Sequence, residues 1–64
     1  PVIGNGVTVS AGAKVLGQLT VGDNAIIGAN AVVVKDVPEN AVVGGVPAKI
    51  IGENVEHRLY AKRN

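Results

Sequence analysis

A β-branched residue stands at every sixth position through the first half of the chain. The positions are Ile3, Val9, Val15, Val21, Ile27 and Val33. A chance alignment is a poor explanation for six consecutive matches in one frame. A unit of six residues is too short to fold alone, so it is stable only if successive units stack on one another. The spacing therefore predicts a solenoid of short strands.

A second column of apolar residues runs in step with the first, four positions further along each unit. Its members are Val7, Ala13, Leu19, Ala25, Ala31 and Val37. The positions between the two columns hold residue types that mostly tolerate a positive φ at a sharp corner. They are Gly6, Gly12, Gln18, Asn24, Asn30 and Asp36. Each hexapeptide is therefore predicted to be one short strand followed by one turn.

Three hexapeptides are expected to close one triangular coil, with residues 3–20 in the first coil and residues 21–38 in the second. Inward side chains of successive coils would then lie over one another at the spacing of paired strands, about 4.8 Å. The predicted stacked pairs are Ile3 with Val21, Val9 with Ile27, and Val15 with Val33. The predicted fold class is all-β, a parallel β-helix of about two regular coils with an irregular end.

The repeat is predicted to fail at Glu39, where a polar side chain would enter the first column. Residues 37–40 have the composition of a turn. Beyond them, the apolar pairs at residues 42–43 and 50–51 suggest two short strands around a bend at residues 44–47. These strands would continue the stack irregularly and cover its end.

Residues 1–52 are assigned to the coils, and residues 53–64 to a polar tail that is helical or mobile, with Asn54 as its N-cap. In this tail His57 is interpreted as an exposed residue, with a general base as the alternative. The basic residues of the tail are interpreted as a solvated face, with a phosphate-binding patch as the alternative. They are Arg58, Lys62 and Arg63.

Composition excludes several classes of protein and site. The chain has no Cys and a single His, which excludes a disulfide framework, a zinc-thiolate site and a His-based metal cluster. A net charge of +1 gives no charge argument for nucleic acid. No stretch approaches the roughly 18 apolar residues of a membrane span, so a soluble protein is expected.

A chain of 64 residues is marginal as an independent domain, because it buries only about 60% of its unfolded surface. Partner chains are the expected stabiliser. The chain also opens at Pro1 with neither an initiator Met nor a signal-like run. This opening suggests a part of something longer.

Two segments carry a resemblance to a known family. Residues 9–17 (VSAGAKVLG), followed by Val21-Gly22 and residues 27–29, resemble the end of the catalytic β-helix of bacterial serine acetyltransferases. Residues 45–50 (GVPAKI) resemble the closing motif of the same family. The resemblance extends over residues 1 to about 52. Two alternatives remain open: a sugar or xenobiotic O-acetyltransferase of the same superfamily, and a non-catalytic β-helix stub.

The resemblance implies a left-handed β-helix and an acetyl transfer from acetyl-CoA to the hydroxyl of L-serine, in cysteine biosynthesis. The family's catalytic His would lie immediately before Pro1, so this chain supplies no catalytic residue and is expected to be inactive alone. Acetyl-CoA enters as co-substrate, with no resident cofactor and no metal. The residues expected to bind it are Ala11, Gly12, Ala29 and Lys49.

The resemblance also implies a cytoplasmic homotrimer or dimer of trimers, with acetyl-CoA at the subunit interfaces and no nucleic acid or membrane partner. Two departures from the family pattern matter. Ile26 stands where many members have Lys, which leaves the phosphate contacts to Lys14, Lys49 or the tail. The last three residues lack the Ile tip with which relatives dock into O-acetylserine sulfhydrylase, so that complex is not predicted.

Overall fold

Short strands separated by tight turns make up residues 1–55, the part of the chain that the computed structural model describes. In chain order they are β1 (Val2–Ile3), β2 (Thr8–Val9), β3 (Lys14–Val15), β4 (Thr20–Val21), β5 (Ile26–Ile27), β6 (Val32–Val33), β7 (Ala41–Gly44) and β8 (Lys49–Glu53). They form three sheets, β1-β4, β2-β5-β7-β8 and β3-β6. The predicted all-β class is confirmed.

The first two coils stack with their strands parallel and in the predicted register. The pairs are Ile3 with Val21, Val9 with Ile27, and Val15 with Val33. Main-chain hydrogen bonds join the coils, including Thr8 N–H to Ala25 C=O at 2.9 Å and Lys14 N–H to Ala31 C=O at 2.8 Å. The β-helix that the six-residue period predicts is therefore confirmed.

The third coil is offset from the second by 16 residues, two fewer than the offset of 18 between the first and second coils. Val37 forms a parallel bridge with Val21, and Val43 pairs with Ile27. An offset of 18 would have put Glu39 against Val21 and a carboxylate in the interior, where burial of an unpaired charge is costly. The shorter corner puts buried Val37 there and leaves Glu39 exposed.

Two details of the predicted coils are therefore wrong. Val37 lies in the first column rather than the second, and Ala41 is the buried residue that continues the second column. The second coil also ends before residue 38, because the irregularity lies in the corner at residues 34–36 rather than at Glu39. The sequence-based prediction failed here because the apolar side chain of Val37 is suited to either column.

Four of the six predicted corner residues have a positive φ. They are Gly6 (68°), Gly12 (76°), Asn24 (62°) and Asn30 (60°). The prediction is wrong for Gln18 and Asp36. At the first of these corners Gly17 takes a φ of 101°, since a residue without a side chain enters this region most easily. At the second, the Asp36 carboxylate accepts a 2.8 Å hydrogen bond from Thr20 N–H instead.

A hairpin closes the C-terminal end of the stack, as the sequence predicts. Strand β7 is parallel to β5 and antiparallel to β8, and the β7–β8 pairing contains a register shift. The turn between β7 and β8 contains a cis Val46–Pro47 peptide bond. It lies on β6, where Val32 N–H donates to Gly45 C=O at 3.0 Å and Ala48 N–H donates to Val32 C=O at 2.8 Å.

Burial is greatest in the second coil, because only this coil has another coil on each side. Val21 and Ile27 are fully buried, whereas Ile3 and Val9 of the first coil remain 45% and 50% exposed. The core comprises Leu19, Val21, Ala25, Ile27, Ala31, Val33, Val37, Ala41 and Val43. The two columns of the repeat thus supply the whole interior between the first coil and the hairpin.

Asn54 fastens the end of β8 to two coils. Its N–H donates to Asn40 C=O at 2.7 Å and its Nδ2 donates to Asn24 C=O at 2.8 Å. The predicted tail helix falls mostly on residues 56–64, which lie outside the described residues, so the division at residue 52 stays a prediction. Within residues 1–55, no helix is long and apolar enough to cross a membrane.

The interior column can be tested with Ile27→Asp. The Ile27 side chain is fully buried, and an unpaired carboxylate in its place costs several kcal/mol, so we expect loss of the folded state by circular dichroism. Thr8→Asp is the matched control, because Thr8 is exposed on the strand next to β5. Equal urea midpoints for the two variants would contradict the assignment of Ile27 to the interior.

Candidate functional site

Three of the predicted binding residues, Ala11, Gly12 and Ala29, lie on one exposed corner of the β-helix, named here the small-residue corner. Ala11 follows β2 and Ala29 follows β5, so the two alanines occupy equivalent places in successive coils. Asn30 N–H donates to Ala11 C=O at 3.0 Å and holds the two turns together. Because the side chains are small, another molecule can approach the backbone closely here.

Gly12 also has a structural reason to be glycine. Its φ of 76° is one that L side chains rarely adopt. A Cβ at this position would overlap Oδ1 of Asn30, which lies over it in the next coil. The geometry of the corner therefore accounts for Gly12 whether or not a ligand binds.

Lys14 adds a cation to the small-residue corner. Its Nζ donates to Gly12 C=O at 3.3 Å. Lys14 pairs in register with Val32, and Val32 C=O accepts the hydrogen bond from Ala48 N–H. Ala48 directly precedes Lys49, the fourth predicted residue, so β3 and β6 lie between the small-residue corner and Lys49.

Lys49 begins strand β8 and lines a cavity of about 320 Å³ at the C-terminal end of the stack. Three interior valines, Val33, Val37 and Val43, line this cavity, and exposed Lys35 lines it together with Lys49. We call this the two-lysine cavity. Asp36 also lines it, so two lysines against one carboxylate leave a net positive charge beside an apolar surface. Such a cavity is suited to a ligand that carries both phosphate and apolar groups.

Sequence reasoning did not identify Lys35 as a candidate. A constant offset of 18 puts residues 34–36 in an ordinary corner and gives no reason to bring Lys35 and Lys49 together. The shortened corner and the returning hairpin make both line the same cavity. The available signal was the turn composition of residues 37–40, which marks a change of register without giving its length.

A second cavity, of about 500 Å³, opens beside the first residue of the chain. Pro1, Gln18, Thr20 and Asp36 are among the residues that line it. Asp36 lines this cavity as well as the two-lysine cavity, and its carboxylate already accepts the hydrogen bond from Thr20 N–H. This N-terminal cavity offers polar groups from two neighbouring coils.

Residues 1–55 contain no group of three or more His, Cys, Asp or Glu side chains arranged to hold a metal ion. The tail residues that the sequence singles out fall outside the described residues. They are His57, Arg58, Lys62 and Arg63. At the four predicted binding residues, the described part of the chain therefore offers backbone hydrogen-bonding groups and the ammonium group of Lys49.

A family model described as bacterial transferase hexapeptide, with six repeats, matches residues 1–35. Among curated relatives, the serine acetyltransferase of Mycobacterium tuberculosis is 56% identical over 54 residues, which are 84% of this chain and 24% of that protein. The chain thus spans about a quarter of the length of this relative. The resemblance inferred from residues 9–17 and 45–50 is confirmed.

The fold of this chain is also similar to that of two solved acetyltransferase structures. A serine acetyltransferase in complex with CoA matches 77% of this chain and 21% of its own, with a TM-score of 0.75 and 53% identity. A galactoside acetyltransferase in complex with coenzyme A matches 91% of this chain and 29% of its own, with a TM-score of 0.83 and 38% identity. Both proteins are acetyltransferases that bind CoA.

The structural role of Gly12 can be separated from a binding role by three variants. Gly17→Ala carries the cost of a positive φ alone, about 1–2 kcal/mol, because nothing lies within 4 Å of its Cβ. Gly12→Ala should lower the free energy of unfolding by more than this, because its Cβ also overlaps Oδ1 of Asn30. Adding Asn30→Gly should remove this additional loss. Urea unfolding measures all three. The structural role of Gly12 would be contradicted if Gly12→Ala and Gly17→Ala lost equal stability and Asn30→Gly restored none of it.

Proposed function

The chain belongs to the bacterial transferase hexapeptide family, and we propose that it is the acetyl-CoA-binding portion of a serine O-acetyltransferase. The reaction moves an acetyl group from acetyl-CoA to the hydroxyl of L-serine, a step in cysteine biosynthesis. The observation that carries the proposal is that the chain has both the small-residue corner and the two-lysine cavity, and is 56% identical over 54 residues to a serine acetyltransferase.

The small-residue corner is proposed to bind the pantetheine arm of acetyl-CoA. Ala11, Gly12 and Ala29 leave the backbone of two successive turns open to a ligand, and backbone groups can then hydrogen-bond to its amides. The protein would be a trimer with acetyl-CoA at its subunit interfaces. This arrangement would also cover the exposed strand edges of a helix this short.

The two-lysine cavity is proposed to hold the phosphate end of CoA. Lys49 and Lys35 would each direct an ammonium group to phosphate oxygens, and the compact charge and flexible stem of lysine suit such contacts. Lys35 thereby supplies a cation that the family pattern more often places near position 26. Binding there is remote from the thioester, so it contributes to affinity rather than to chemistry.

The chemical step needs a base that this chain does not supply. The serine hydroxyl attacks the thioester carbonyl, a His takes its proton, and the thiolate of CoA leaves. A general base of this kind contributes about 10² to 10⁴ in rate. We place the His immediately before the residue that is Pro1 here, next to the N-terminal cavity, and expect no acetyl transfer from the 64-residue chain alone.

A sugar or xenobiotic hydroxyl is the alternative acceptor. The observation in its favour is the match to a galactoside acetyltransferase, which covers 91% of this chain. The two functions share the proposed CoA site and differ in the residues that hold the acceptor. Acetyl transfer to L-serine and to galactosides by the whole enzyme distinguishes them.

The phosphate contact predicts the effect of Lys49→Ala in the whole enzyme. The KM for acetyl-CoA should rise about tenfold or more with kcat nearly unchanged, because a hydrogen bond to a charged group is worth about 1.5–3 kcal/mol and acts equally in ground and transition states. Lys49→Arg keeps the charge and is the control. A lower kcat at unchanged KM would contradict the assignment.

The position of the base predicts a contrast between two substitutions in the whole enzyme. His57→Ala should leave kcat nearly unchanged, because this His is assigned to the tail and not to the reaction centre. Replacing the residue before Pro1 by Ala should reduce kcat by about 10² to 10⁴. The proposed mechanism would be overturned if His57→Ala abolished activity while the substitution before Pro1 left kcat unchanged.

A further inference from the structure

Asn5 and Gly6 form the only Asn-Gly pair in the chain. Both residues are exposed, at the first corner of the first coil. At this corner Gly6 has the positive φ, whereas three asparagines that have a positive φ themselves are each followed by alanine, in the pairs 24–25, 30–31 and 40–41. The chain therefore contains its own comparison between one Asn-Gly pair and three Asn-Ala pairs.

The amide nitrogen that follows each asparagine has a different environment in the two cases. In the Asn-Ala pairs this N–H donates to a main-chain carbonyl: Ala25 to Gly22 at 3.4 Å, Ala31 to Gly28 at 3.1 Å, and Ala41 to Pro38 at 3.3 Å. Within residues 1–55, no main-chain hydrogen bond uses the N–H of Gly6. Gly6 has no side chain of its own to hinder a reaction at this nitrogen, and its nearest neighbour from the next coil is Oδ1 of Asn24.

We propose that Asn5 is a site of spontaneous deamidation in the folded chain. The main-chain nitrogen of Gly6 attacks Cγ of Asn5, forms a five-membered succinimide and expels the side-chain nitrogen as ammonia. Water then opens the ring at either carbonyl, which gives aspartate or isoaspartate at position 5. In sum, one amide and one water become one carboxylic acid and one ammonia, and neither an oxidant nor a reductant takes part.

The main chain at Asn5 holds the first coil to the second. Asn5 N–H donates to Oδ1 of Asp23 at 2.8 Å, and Asn5 C=O accepts from Asn24 N–H at 2.8 Å. An isoaspartate lengthens the main chain between these two bonds by one methylene, so both cannot keep their geometry. Either product also places a second carboxylate near Asp23, and like charges repel. The modification therefore loosens the first coil.

Tryptic peptides separate the sites. Cleavage after Lys14, Lys35 and Lys49 puts Asn5 alone in peptide 1–14, Asn24 and Asn30 in peptide 15–35, and Asn40 in peptide 36–49. The folded chain is incubated in mildly alkaline buffer made with ¹⁸O-water and then digested. We expect ¹⁸O-labelled acid and isoaspartate in peptide 1–14, while the other two peptides keep their amides.

Asn5→Gln is the control variant, because its longer side chain would have to form a less favourable six-membered ring. Peptide 1–14 of this variant should keep its amide, and its urea midpoint should stay constant during incubation while that of the unsubstituted chain falls. The proposal is overturned if Asn5 keeps its amide in the folded chain and loses it only in urea. It is equally overturned if peptide 15–35 is converted as fast as peptide 1–14.

Discussion

The structure depends on the contact between each inward side chain and its counterpart one coil away. A strand of two residues has no stability of its own, and the first column consists of Val and Ile, each of which contributes about 1.5–3 kcal/mol when fully buried. Val21 and Ile27 reach full burial because they have neighbours in two coils, whereas Ile3 and Val9 have a neighbour on one side. Burial therefore follows position in the stack rather than residue type.

The same requirement shapes the candidate site. Keeping Glu39 out of the interior needs a corner two residues shorter, and that corner brings Lys35 to the cavity that Lys49 also lines. At the small-residue corner, the turns that hold Ala11 and Ala29 can stack closely because Asn30 lies over a residue without a side chain. The proposed ligand surface is a consequence of how the coils turn.

The sequence predicted the regular part of this fold because its information is periodic. The pairs from Ile3–Val21 to Val15–Val33 follow from an interval of six and need no other knowledge. The change of offset was not predictable, since Val37 is apolar and is suited to both columns. Strict spacing points to Gln18 rather than Gly17, although the backbone favours glycine at that corner. Lys35 could not be identified until the offset of the third coil was known.

The central claim is that the coils stack with an offset of 18 residues and then of 16. Methyl nuclear Overhauser effects in a ¹³C-labelled chain measure these offsets directly. The structure predicts contacts between Val9 and Ile27, between Ile27 and Val43, and between Val21 and Val37. Contacts from Val21 to Glu39, in place of those to Val37, would contradict the shortened corner and the two-lysine cavity that depends on it.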